Sequence, residues 1–150
     1  MIVCMHTTAM KTLDDSLGFQ VNRLAGAMRT ALEARLVEHG LTAPQWATLM
    51  RLLERDGWPQ KELGESQGMD KATVGGIVAR LEAKGLIARR VDPDDGRVHR
   101  VSLTAHGRRS ALALRPLAAE VNGRATAGLD PSEAAALRTL LIRARVSLTG

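Results

Sequence analysis

Asp70-Lys71-Ala72-Thr73-Val74-Gly75-Gly76-Ile77-Val78-Ala79-Arg80-Leu81-Glu82-Ala83-Lys84-Gly85, followed by Asp92-Pro93-Asp94-Asp95-Gly96-Arg97, decides the fold. Asp70 is a good helix N-cap, because its carboxylate can accept from orphan N–H groups of the first turn. Val74, Ile77, Val78 and Leu81 recur at helical spacing, and Gly85 stops the run. The period then shifts towards two, with Val101 and Leu103 alternating with Arg100 and Ser102 as in a half-buried strand. Residues 92–97 are rich in turn formers and form the charged tip of a hairpin.

Upstream, Pro59 opens a short helix from Gln60 to Ser66, held inward by Leu63 and broken at Gly68. Before it, Thr42 and Gln45 read as a capping box with Pro44 in the first turn. Trp46, Leu49, Leu52 and Leu53 form the inner face of that helix. Leu17, Val21, Leu24, Met28, Leu32 and Leu36 share one face of a long first helix that stops near Gly40. Downstream, Thr104 caps a helix in which Pro116 is expected to cause a kink. Asp130-Pro131-Ser132-Glu133 starts a last helix carrying Leu137, Leu140 and Leu141. The predicted order is helix, helix, helix, helix, hairpin, helix, helix: a mainly α fold with a small β-hairpin.

The 150 residues suit one globular domain. The net charge of +5 is unevenly placed. Residues 71–110 hold nine Lys/Arg against four Asp/Glu, whereas residues 1–70 hold seven against nine. A basic middle on an acidic start points to a polyanionic partner. Phe19, Trp46 and Trp58 are the only aromatic residues, which disfavours a stacking platform for single strands. No apolar run reaches the roughly 18 residues of a membrane span. The opening Met1–Met5 is too short for a signal-peptide core, and the lone Cys4 suits a reducing cytoplasm. His6, His39, His99 and His106 lack ligand spacing, so no metal is expected. No catalytic triad order, phosphate-binding loop or dinucleotide fingerprint is present, so neither a cofactor nor enzymatic activity is expected.

A short helix, a tight turn, a capped helix and a basic hairpin form a winged helix-turn-helix, whose second helix enters the DNA major groove. Asp70 to Val74, Arg80 to Ile87, Asp92 to Arg97, and Val101-Ser102-Leu103-Thr104 with Gly107 together resemble the MarR family of transcriptional regulators. The resemblance spans roughly residues 13–145. It implies a winged lobe at about 42–104 and dimerisation helices at about 13–39 and 105–147, with residues 1–12 as an N-terminal extension. It further implies a homodimeric, ligand-responsive repressor of a pseudo-palindromic operator in double-stranded DNA. A winged helix used for protein contacts, or a DNA-binding regulator without a ligand, is the alternative.

The expected DNA-binding set follows. Arg97 at the hairpin tip can reach the minor groove, whose negative potential favours a guanidinium; the resemblance implies that Asp95 holds it. Lys71 and Thr73 occupy the first turn of the recognition helix, with Arg80 nearly two turns on. Arg89, Arg90 and Arg100 flank the hairpin. Gly75 and Gly76 stand where relatives often carry base-reading side chains, which shifts the expected readout towards the wing, the backbone and DNA shape. Gly64 and Gln67 also depart from the usual pattern, and the short third helix is expected to be less stable for it. Leu13, Leu17, Leu137, Leu140 and Leu141 are the expected dimer contacts. Phe19, Arg23, Trp46 and Met50 are candidate walls of a pocket for a small, anionic, aromatic ligand. Cys4 lies before the first helix, away from where peroxide-sensing relatives carry their reactive cysteine, and is not expected to sense oxidants.

Overall fold

The computed structural model describes residues 11–149. Cys4, His6 and most of the proposed N-terminal extension lie outside the described residues. The elements are α1 (Leu17–Leu36), α2 (Ala43–Glu54), β1 (Trp58–Pro59), α3 (Gln60–Glu65), α4 (Lys71–Ala83), β2 (Ile87–Val91), β3 (His99–Leu103), α5 (Ala105–Leu114), α6 (Pro116–Ala125) and α7 (Pro131–Thr149). Mainly α with a small wing, as the sequence suggests, the chain adds one strand that the sequence reading lacked.

Local chemistry sets most boundaries. Ser16 caps α1 by accepting from the Phe19 N–H at 3.3 Å. The helix tightens into a 3-10 turn at Val37–His39 and ends on Gly40, whose left-handed φ of 62° suits glycine. Thr42 and Gln45 cap α2 reciprocally, and Asp130 and Glu133 do the same for α7, both bonds at 2.9 Å. At Pro116 the structure goes further than a kink. The helix is divided at Arg115, because Pro116 has no N–H to continue the ladder and instead opens α6 at its first position.

The core is one cluster shared by all parts of the winged lobe. Leu36, Leu49, Leu52, Leu63, Val78, Leu81 and Val101 are fully buried. The three strands lie in the order β1-β3-β2, all antiparallel. Trp58 pairs with Val101 and Ile87 with Leu103, so β3 is central.

Gly64 in α3 and Gln67 just after it each make a specific contact in the fold. A Cβ on Gly64 would stand 2.9 Å from Val74 Cγ1, so the glycine lets α3 lie against α4. Gln67 donates to the Leu63 carbonyl at 3.2 Å and meets Thr48 Oγ1 at 3.3 Å, with Thr48 buried on α2. These bonds satisfy polar groups that burial would otherwise penalise.

The terminal helices differ from this core. α6 runs along α1, with an Arg35–Glu120 ion pair of 3.2 Å between them. α7 has no buried residue, so it does not form an intrachain pair with α1. Leu13, Leu17, Leu140, Leu141, Ile142 and Val146 are all exposed.

Candidate nucleic-acid interface

Helix α4 is fixed at both ends. Asp70 accepts from the Thr73 N–H at 2.7 Å, and hydrogen bonds from Thr73 hold its carboxyl below the ordinary carboxylate range. At the far end Glu82 takes the Arg89 guanidinium at 2.6 and 2.9 Å and the Arg89 N–H at 3.3 Å. This pair ties the last turn of α4 to β2, and the hydrogen bonds from the Arg89 side chain lower the Glu82 pKa. The outer face of α4 presents Lys71, Thr73 and Arg80, all exposed.

The wing tip is organised by Asp92. Its Oδ1 accepts from the Asp94 N–H at 2.8 Å and the Asp95 N–H at 3.3 Å, an Asx turn. Its Oδ2 receives the Arg100 guanidinium, which also donates to the Gly57 carbonyl at 2.9 Å. The backbone bonds from Asp94 and then the Arg100 bond hold the Asp92 carboxyl below its usual range. In the sequence Asp92 is one turn former among several. The signal that marks it is the acid two residues ahead of the N–H it captures, in Asp92-Pro93-Asp94.

Beyond that turn stands Arg97, its side chain 93% exposed, with Nε 3.3 Å from Asp95 Oδ1. The Arg97 N–H also donates to the same oxygen at 3.0 Å. The acid therefore orients the residue from both backbone and side chain, while the guanidinium keeps donors free for a partner.

Helix and wing face each other across one cleft of about 870 Å³. Asp70 and Lys71 line it at the start of α4, Glu62 and Glu65 from α3, and Asp92, Asp95, Arg97, His99 and Arg100 from the wing, so its walls carry acids as well as bases. Lys61 on α3 also lines it, a basic residue that the sequence reading missed. Arg80, Arg89 and Arg90 lie outside this cleft. Arg89 and Arg100 are already engaged by Glu82 and Asp92, whereas Arg90 is exposed. A Cβ on Gly75 or Gly76 would meet nothing nearer than 3.8 Å. Packing within the chain therefore does not require either glycine, and each costs roughly 1 kcal/mol relative to Ala in a helix.

The proposed ligand residues are more scattered. Arg23 lies over the Phe19 ring, 5.8 Å from its centroid. Trp46 Nε1 donates to the Leu114 carbonyl at 3.2 Å, and Met50 packs on the core. None of the four lines the helix–wing cleft.

The Asp92 network has an acid signature. A carboxylate whose folded-state pKa is depressed stabilises the fold above its unfolded value, near about 3.9, and loses that contribution as pH falls through the lower folded value. Amides of the wing are therefore expected to lose hydrogen-exchange protection below about pH 4. An Asp92→Asn wing that keeps the wild-type acid profile would contradict this assignment.

Comparison with known proteins agrees with the geometry. The family model described as MarR family matches residues 41–99. The transcriptional regulator TtmR of Methylorubrum extorquens is 37% identical over 65% of this chain and 50% of its own length. The chain thus spans half of that relative. A probable transcriptional regulator from Pseudomonas aeruginosa, known by its crystal structure, is 44% identical, with a TM-score of 0.79 over 88% of this chain and 98% of that one. BpsR of Bordetella bronchiseptica, whose DNA binding is regulated by 6-hydroxynicotinic acid, is 27% identical with a TM-score of 0.83, covering 89% of this chain and 96% of its own. The fold is a winged helix-turn-helix, and the proteins it is similar to are transcriptional regulators. The chain belongs to the MarR family.

Proposed function

We propose that two copies of the chain form a homodimer that binds a pseudo-palindromic operator in duplex DNA and represses from it. The observation that carries this reading is the arrangement of α4 and the wing. A capped helix with Lys71 and Thr73 at its start and an exposed, oriented Arg97 flank one cleft. Such a helix fits the major groove while the wing reaches the adjacent minor groove. The uncovered leucines of α1 and α7 support the dimer, since pairing two chains would take that surface out of water. In this reading the chain is a binding protein of the cytoplasm and not an enzyme. No helix among the described residues is long and apolar enough to cross a membrane.

A small aromatic anion is the proposed effector. The Arg23–Phe19 pair supplies a cation beside an aromatic wall, and BpsR responds to a ligand of this chemistry. Such a ligand would act by favouring a dimer spacing unsuited to DNA, with a coupling of about 1–3 kcal/mol.

Selection of bound fragments from a random duplex pool tests the reading. The expected result is enrichment of inverted half-sites about 10 base pairs apart. Recovery of single half-sites only, or no enrichment, would count against a dimeric operator-binding protein.

A further inference from the structure

The face that α4 turns away from the core carries almost no side chain. Val74, Ile77, Val78 and Leu81 are buried. At about 100° per residue, Ala72, Gly76 and Ala79 stand opposite them, and Ala72 and Ala79 are exposed. Nothing longer than a methyl group lies on that line, and a methyl group neither donates nor accepts a hydrogen bond. With α4 in a major groove, base edges facing the centre of the helix meet no side chain that can pair with them.

Polar groups stand on both sides of this bare strip. A Cβ on Gly76 would lie 3.9 Å from Arg80 Nη1, and one on Gly75 would lie 3.8 Å from Gln60 Nε2. The Arg80 guanidinium thus reaches back over Gly76, one turn before its own Cα. The Gln60 amide comes from the first residue of α3 and lies beside Gly75. Arg89, Arg97 and Arg100 are each held by an acid, whereas Arg80 enters no ion pair among the described residues. Packing within the chain requires neither glycine, so the strip is kept bare at a cost in helix stability. The space it leaves lets the helix backbone approach the groove floor. The two flanking side chains then come within reach of the bases.

We propose that Arg80 and Gln60 are the base-reading residues of the α4 face, Arg80 pairing with O6 and N7 of a guanine and Gln60 with N6 and N7 of an adenine. This inference rests on the operator reading and states which side chains carry its sequence preference. It adds Gln60 to the interface and gives Arg80 a base rather than a phosphate.

Selection from a random duplex pool with the wild type, Arg80→Met, Gln60→Ala and Gly76→Leu tests it. Arg80→Met keeps an apolar stem and removes the fork. It should lose at least about fivefold of the preference for guanine at one position of each half-site, with the other positions unchanged. Gln60→Ala should relax a different position, where adenine is preferred. Gly76→Leu places a side chain where the guanidinium lies. It should relax the same position as Arg80→Met without lowering the melting temperature, since Leu favours a helix more than Gly does. A lost phosphate contact behaves differently, weakening all sequences alike and reducing the salt slope by about 1. An Arg80→Met protein that selects the wild-type sequences with uniformly weaker binding would therefore overturn the assignment of Arg80. Unchanged selection by Gln60→Ala would overturn that of Gln60. In both cases the wild type still enriches its operator. A wild type that enriches nothing would instead remove the operator reading, and this inference with it.

Discussion

Arg97→Ala is expected to lower operator affinity by at least about 30-fold while leaving the dimer and its stability intact. A specific arginine contact contributes about 1–3 kcal/mol, and a dimer places two wings, so the combined loss exceeds about 2 kcal/mol. The variant also leaves the Asp95 carboxylate facing phosphate without its cation. Stability should change little, because the side chain is almost fully exposed and a surface ion pair contributes about 0–1 kcal/mol. Arg97→Lys should recover only part of the affinity, since an ammonium keeps the charge but not the planar fork that Asp95 orients. Fluorescence anisotropy with a selected duplex reads the affinity, and sedimentation reads the dimer. An Arg97→Ala protein that binds as tightly as wild type would remove the wing from the interface.

Gly107→Ala is expected to be the most damaging methyl addition in the lobe. Gly107 sits in the first turn of α5 and is buried. Its N–H donates to Thr104 Oγ1 at 2.9 Å, and the Thr104 N–H donates to the Leu86 carbonyl at 3.1 Å. A Cβ there would overlap the Leu86 carbonyl oxygen and lie 2.7 Å from its carbon. The obstacle is backbone, so no rotamer relieves it; α5 must back away from the start of β2. Overpacking of this kind costs about 3 kcal/mol or more, which for a chain of this length lowers the melting temperature by roughly 6–12 °C. Calorimetry at fixed protein concentration measures it. A drop under about 2 °C would mean that α5 does not bear on the Leu86 turn as described.

The parts of the fold legible in the sequence are those written locally. Asp70 before a stripe of Val74, Ile77, Val78 and Leu81 needs no tertiary information to be read as a capped helix, and all four apolar residues are buried. Thr42 with Gln45 and Asp130 with Glu133 are of the same kind. Strand β1 was illegible because Trp58-Pro59 is too short to alternate and finds its partner, Val101, far along the chain. Gly64 looked like a weakness because a helix-interior glycine is costly in isolation; its use shows only when Val74 is in place. At the interface, the sequence marked the basic residues but not their commitments. Glu82 and Asp92 take up Arg89 and Arg100 through pairings seven and eight residues apart, which turn geometry creates and spacing does not reveal.

In the proposed complex the α4–wing face engages the phosphate backbone of duplex DNA. The most direct test of this contact is the affinity of the wild-type dimer for a selected duplex across a range of salt concentration. Neutralised phosphates release counterions, so log affinity should fall linearly with log salt, with a slope of about −0.9 for each phosphate contacted. With several basic side chains presented by each lobe, a slope of about −4 or steeper is expected. A flat dependence, or no duplex binding at low salt, would contradict the assignment of this face to DNA.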